Sequence, residues 1–151
     1  CKRFHAVMQT VMKEYGGKVA WVYRHYPIDM LHPKARNEAV ALECANLLGG
    51  NDKFWQYTDR LFEITPSNNN LDPSLLPEIA QYVELDKEAF LSCMRDNNFE
   101  EVINRDIQNA LELGATGTPW SVIIAKDGAK YEIQGAQPYE VVKQLIDIAL
   151  E

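Results

Sequence analysis

The chain has 151 residues, 46% of them hydrophobic and 25% charged, with a formal net charge of −7. That length suffices for one compact domain with a core of its own, and the balance is the usual one for a soluble globular protein. The acidic excess argues against nucleic acid, which wants a basic face, and no apolar run approaches the roughly 18 residues a bilayer-spanning helix needs.

In chain order, Phe4, Val7, Met8, Val11, Met12 and Tyr15 fall at the spacing of one buried helical face, and Gly16-Gly17 ends that helix. Cys1 therefore stands at or near a helix N-terminus, where free N–H groups and a partial positive charge favour the reactive thiolate; the plainer reading is a cysteine that happens to come first. Residues 18–23, Lys-Val-Ala-Trp-Val-Tyr, are short, β-branched and aromatic, and read as a buried strand ended by Pro27 and the His32-Pro33 pair. A helix from about Pro33 to Leu48 carries Val40, Ala41, Cys44, Ala45 and Leu48 on its apolar stripe and closes at Gly49-Gly50; another runs from about Asp52 to Glu63. Ser67-Asn68-Asn69-Asn70 is the most loop-like stretch. Asp72-Pro73 reads as an N-cap with proline at the first helical position, opening a short helix to about Val83. Asp86 caps the next, with Ala89, Phe90, Cys93 and Met94 on one face. Asn98 and Glu101 are spaced like a capping box, ahead of Ile103, Ile107, Ala110 and Leu111 facing inward and Gly114 at the end.

The pattern then changes to strand: Trp120 to Ala125, a hairpin turn at Asp127-Gly128, and a return at Tyr131 to Ile133. Pro138 starts a last helix with Val141, Val142, Leu145, Ile146 and Ala149 on its apolar sides. The strands bracket a helical block, so the order predicts one α/β domain with an all-helical insertion. A helix followed by a buried strand is two-thirds of a βαβ unit, so its first strand is expected upstream of Cys1, and the chain reads as cut inside a β–α junction.

These pieces resemble the DsbA-like branch of the thioredoxin superfamily. Cys-Lys-Arg-Phe at 1–4 resembles the end of a Cys-x-x-Cys-x-x-Phe active-site helix, and Tyr-Arg-His-Tyr-Pro at 23–27 the exit of a strand. His-Pro-Lys-Ala at 32–35, Ala-Leu-Glu-Cys-Ala at 41–45, Lys-Phe-Trp-Gln-Tyr at 53–57 and Leu61-Phe62 resemble the family's helical insertion. Gly-Ala-Thr-Gly-Thr-Pro at 114–119 resembles the loop that holds a cis-proline, and Gly-Ala-Gln-Pro-Tyr at 135–139 the turn before the last helix. The match keeps its order over nearly the whole chain. It implies a thioredoxin-like fold, with residues 1–32 and 98–151 as the two parts of the core, 33–97 as the helical insertion, and the N-terminal strand or strands missing from this chain.

The resemblance also implies a role for each cysteine. Phe4 follows Cys1 at the spacing that marks the second, resolving cysteine of the pair; the attacking one would lie three places upstream, and without it the chain cannot cycle. Cys1 acting alone as a one-thiol nucleophile is the alternative. Spacing alone makes Thr118-Pro119 a trans bond at the head of a strand; the resemblance implies cis, with Thr118 pairing with an extended substrate segment beside the thiols. Cys44 and Cys93 are explained by packing as small buried hydrophobes, whereas some relatives carry a structural disulfide in the insertion that these two positions resemble, which would indicate an oxidising compartment.

The expected activity is thus disulfide exchange with cysteine-containing protein substrates and a redox partner protein, outside the cytoplasm. A non-catalytic thioredoxin-like binding module is the runner-up, and a glutathione-using cytosolic isomerase with an active-site serine a third reading. No cofactor or metal is expected: Cys1 and His5 are four apart on a helix, but no third ligand is evident, and His5 reads as solvent-facing or loosely packed. Trp55, Tyr57 and Phe62 read as inter-helix packing rather than a peptide-binding patch.

Overall fold

The helical spacing of Phe4, Val11 and Tyr15 is realised in α1 (Lys2–Tyr15) of the computed structural model, which describes residues 1–96 and 99–151. The chain divides into two units, one of Cys1–Tyr23 with Ala110–Glu151, the other of Arg24–Asn109.

In the first unit α1 stops where Gly16 takes φ 47°, a left-handed conformation that glycine adopts without strain, and donates its N–H to the Met12 carbonyl. β1 (Trp120–Ile124) and β2 (Lys130–Gln134) pair antiparallel, with Ser121 opposite Ile133 and Val122 opposite Glu132. The connecting turn holds because Asp127 accepts the Ala129 N–H at 2.9 Å and Gly128 takes φ 91°. α6 (Tyr139–Leu150) follows Pro138, whose fixed φ suits a helix entry. Phe4, Val11 and Tyr15 from α1, Ile133 from β2, and Val142 and Ile146 from α6 form the core. At the far end of α1 the Tyr15 hydroxyl donates to Asp147, Lys143 donates to the same carboxylate at 2.9 Å, and the Tyr139 hydroxyl donates to Glu14.

The run at 18–23 departs from expectation. It alternates half-buried and exposed residues with the period of a strand, yet among the described residues it is not part of the β1–β2 sheet, and Val22 is 69% exposed. A strand exists only through a ladder partner, and an apolar run specifies the readiness to pair but not the partner.

The second unit is helical. The two helices expected on either side of Gly49-Gly50 are present, taken together here as α2 (Ala35–Ile64): Gly50, at φ 71° and ψ −168°, is not helical, and the two helices meet at an angle there. α3 is Leu75–Tyr82, α4 Lys87–Asp96, and α5 (Glu100–Glu112) carries the chain out of this unit. Asp86 caps α4 as expected, accepting the Ala89 N–H at 2.7 Å. Asp72 makes the bond expected of a cap, accepting the Ser74 N–H at 2.9 Å two residues on, while Ser74 is already helical in φ and ψ and the regular run of α3 is counted from Leu75. Asn98 of the expected capping box lies outside the described residues. On α5 Ile103 is buried, but Leu111 is 50% exposed, and the second buried residue is the charged Asp106.

Tyr57 and Phe90 fill the space between α2 and α4, both fully buried and stacked at 5.4 Å, and the Tyr57 hydroxyl donates to the Leu76 carbonyl at 2.9 Å. Burying a side chain such as Phe90 contributes about 1.5–3 kcal/mol, so the aromatic cluster is packing, with Trp55 and Phe62 only half-buried at its margin. Cys44 and Cys93 join α2 to α4 through a disulfide closing a separation of 49 residues.

Candidate active site

Cys1 is exposed, its thiol is free, and it occupies the N-cap position of α1, where its carbonyl accepts the His5 N–H at 2.9 Å. Its sulfur thus stands at the positive end of a 14-residue helix, on the solvent side of a buried anchor three residues on, Phe4, which is 6% exposed. Phe4 fixes the depth of the helix and leaves the first residue outside.

The Thr118–Pro119 peptide bond is cis. It lies between Ala115, buried behind the α5 terminus, and the first residue of β1. One short turn connects this loop to the start of α1. Arg3 donates through Nη2 to the Ala136 carbonyl at 3.2 Å, and the neighbouring Gly135 N–H donates to the Pro119 carbonyl at 2.9 Å. Gly135 takes φ 72°, which lets the chain leave β2 and fold back between the two partners. The expected site residues Cys1, Thr118 and Pro119 are therefore held in one unit, linked through residues 135–136. Arg3, Gly135 and Ala136 do this work; the family resemblance placed 135–136 in the turn before the last helix, but nothing in the sequence pointed to the Arg3 contact that ties that turn to α1.

Two neighbours complete the surroundings. His5 is not solvent-facing: it is 5% exposed, its ring 5.1 Å from that of Trp21. An aromatic partner sixteen residues away covers it, which helical spacing alone does not show. The indole N–H of Trp120, next to Pro119, is buried and makes no hydrogen bond among the described residues.

The other expected pair, Cys44 and Cys93, is elsewhere, inside the helical unit, at 0% and 4% exposure. Burial keeps that disulfide from thiols in solution, whereas the Cys1 thiol is open to them.

The helical unit also holds a buried polar centre. Asp106, 3% exposed, accepts the His25 N–H at 3.1 Å and the Arg24 guanidinium at 2.9 Å. The His25 ring bonds Glu43 at 2.8 Å through Nε2, and that bond holds the Glu43 carboxyl below the usual carboxylate range against the opposing effect of burial. These contacts satisfy one another and pin residues 24–25. Among the described residues, no three His, Cys, Asp or Glu side chains stand close enough to hold a metal ion, and no helix is long and apolar enough to cross a membrane.

The family model of the DSBA-like thioredoxin domain matches residues 22–147. The crystal structure of Pseudomonas aeruginosa DsbA2 superposes with a TM-score of 0.82 at 28% identity, covering 99% of this chain and 81% of that one. A Nitrosomonas europaea protein, described as a candidate protein disulfide isomerase, superposes at 0.67 with 14% identity, covering 98% and 90%, and so shares the fold. Among curated sequences, the Na(+)/H(+) antiporter NhaA 1 of Mycolicibacterium gilvum is 29% identical over 123 residues, 78% of this chain but 19% of the antiporter. The NhaA 1 of Salinispora arenicola is 30% identical over 101 residues, 67% of this chain and 15% of that protein. The chain thus spans less than a fifth of the length of the curated relatives it matches.

Proposed function

The chain belongs to the DSBA-like thioredoxin domain family, and on that footing we propose that it is the catalytic domain of a protein thiol–disulfide oxidoreductase with Cys1 as the resolving thiol. The observation that carries this reading is the exposed, free Cys1 at the N-terminus of α1, tied through residues 135–136 to the Thr118–Pro119 loop.

The chemistry needs two thiols. A thiolate attacks one sulfur of a disulfide; that S–S bond breaks, a mixed disulfide forms, and the other sulfur departs as a thiolate. A second thiolate then attacks the mixed disulfide, forming a new S–S bond and releasing the bound sulfur. Two electrons pass between the dithiols, in the direction their potentials set. Cys1 takes the second step, because Phe4 follows it at the family's spacing for the resolving cysteine. In a pair of this spacing the attacking cysteine stands three positions before the resolving one, and turnover needs both. The backbone at Thr118 holds an extended substrate segment beside the sulfurs, and Pro119 packs near them without offering a metal ligand. Substrates are cysteine-bearing polypeptides, and a second redox protein restores the starting state. The buried Cys44–Cys93 disulfide supports an oxidising, extracytoplasmic setting. The ion exchange in the antiporters' names is not carried over, since the match leaves out more than four-fifths of each of those proteins.

The test is oxidation of a dithiol peptide by the natural protein, with the residues that precede Cys1 in place. Cys1→Ala abolishes multiple turnover, while Cys44→Ala/Cys93→Ala keeps it. Turnover unaffected by Cys1→Ala would overturn the assignment, and no exchange in any form would favour a binding module.

A further inference from the structure

The helical unit contains a half-open cavity of about 170 Å³ where the start of α2 meets the segment leading into α3. Pro33, Leu71, Pro73 and Leu76 form apolar walls, and Lys34 and Glu38 also line it. The two charged residues differ in how they are satisfied. The Lys34 backbone N–H donates to the Asn69 side chain at 2.9 Å, and its ammonium donates to the Leu71 carbonyl at 2.9 Å. Glu38 is half-buried, yet among the described residues its carboxylate accepts no hydrogen bond and closes no ion pair. A carboxylate drawn out of water with no compensating donor is unfavourable, and burial pushes the Glu38 carboxyl up, against the opposing charges of Lys34 and His32.

We propose that this cavity binds a primary alkylammonium group, its alkyl stem against Pro33, Leu71, Pro73 and Leu76 and its ammonium donating to the Glu38 carboxylate. The volume suits the stem: a dry apolar cavity of about 150 Å³ accepts benzene, so this one has room for roughly four to six carbons. A cationic donor suits the carboxylate better than a neutral one, because charge-assisted hydrogen bonds are about twice as strong. The net charge of −7 favours cations at long range. The Lys34 charge opposes them locally and keeps the site weak, but its ammonium is already held on a carbonyl. Free short-chain amines and lysine side chains of a partner share this chemistry. The proposal does not rest on the disulfide chemistry of the other unit.

The test is an amide NMR titration of the whole chain with n-butylammonium, with 1-pentanol as the uncharged stem and with doubly blocked lysine as the side-chain mimic. Saturable shifts are expected at residues 34–38 and 71–76 with n-butylammonium, with 1-pentanol about tenfold weaker. Glu38→Gln, which keeps the shape of the side chain, is expected to weaken n-butylammonium binding by about the same factor. Blocked lysine binding as well as the free amine identifies a partner's lysine as the occupant; blocked lysine binding more weakly identifies a free amine. No saturable shift at those residues, or equal binding of n-butylammonium by the unmodified chain and Glu38→Gln, overturns the proposal.

Discussion

Asp106 is a buried charge whose main task is to accept a backbone N–H, and this can be separated from its ion pair. It is 3% exposed; one oxygen takes the His25 N–H at 3.1 Å, the other the Arg24 guanidinium at 2.9 Å. Arg105 comes only to 3.9 Å of the same carboxylate and is largely exposed, and the two hydrogen-bonding partners are unequal. The Arg24 side chain is 53% exposed, so water takes over its charge when the carboxylate goes, and such a half-solvated pair contributes up to about 1 kcal/mol. The His25 N–H belongs to a residue that is 4% exposed and has no water to turn to; leaving a buried donor unmatched costs about 1–3 kcal/mol. Asp106→Ala should therefore destabilise the chain by about 3 kcal/mol, a fall in Tm of roughly 6–12 °C for a protein of this size. Arg24→Ala should cost about 1 kcal/mol or less. Asp106→Asn, which keeps one acceptor oxygen for the backbone, should fall between them. Urea unfolding of the three variants at pH 7, with amide exchange at His25 as a local probe, measures the ranking. If Arg24→Ala is as damaging as Asp106→Ala, the ion pair dominates and the backbone account is wrong.

Other consequences are as direct. Replacing both Cys44 and Cys93 by alanine releases a loop with a sequence separation of 49 residues, which chain entropy values at up to about 4 kcal/mol; thermal unfolding of the oxidised protein and the double variant should differ by roughly 8–16 °C, and a difference near zero would mean the bond adds nothing that packing does not. The Glu43 carboxyl is depressed in the folded state by its bond to His25, so its contribution to stability is present above the ordinary glutamate range, near pH 4.3, and is lost as pH falls through the lower folded value. Acid unfolding of Glu43→Gln should lack that part of the decline. Glu38 has the opposite sign: its folded carboxyl is raised, so its contribution is present below the ordinary range and lost as pH rises through the folded value. Glu38→Gln should accordingly be the more stable form at pH 7, as denaturant midpoints would show. Phe4→Ala empties a core position that is 6% exposed, for a loss of about 3–5 kcal/mol; if the rate at which Cys1 reacts with a thiol reagent stayed the same, Phe4 would not be what sets the position of the helix end.

What could be read from the sequence was mostly what neighbours in the chain decide. The α1 stripe, the Asp86 cap and the Asp127-Gly128 turn depend on residues within one or two turns of each other, and each is present. Where a distant partner decides, the residues were silent. His5 is buried because Trp21 covers it, and Asp106 is buried because the backbone of residue 25 needs an acceptor. Gly49-Gly50 carries a local stop signal, and the helix does break there, at a Gly50 with φ 71°, before a second helix follows at once. The apolar run at 18–23 shows the alternation of a strand but, among the described residues, does not join the β1–β2 sheet. At the candidate site Cys1 and Pro119 could be picked out by type and order, but the turn that links them, through Arg3, Gly135 and Ala136, is a product of the fold.

The role of Cys1 is settled by trapping. The natural protein carrying Cys1→Ser is mixed with a peptide containing one disulfide, and its intact mass is read without reduction. The account predicts a mixed disulfide with the peptide that accumulates on the cysteine three positions before Cys1 and persists, because the resolving thiol is gone, while the unmodified protein accumulates none. A stable adduct on Cys1 itself in the unmodified protein, or no adduct in either form, would contradict it.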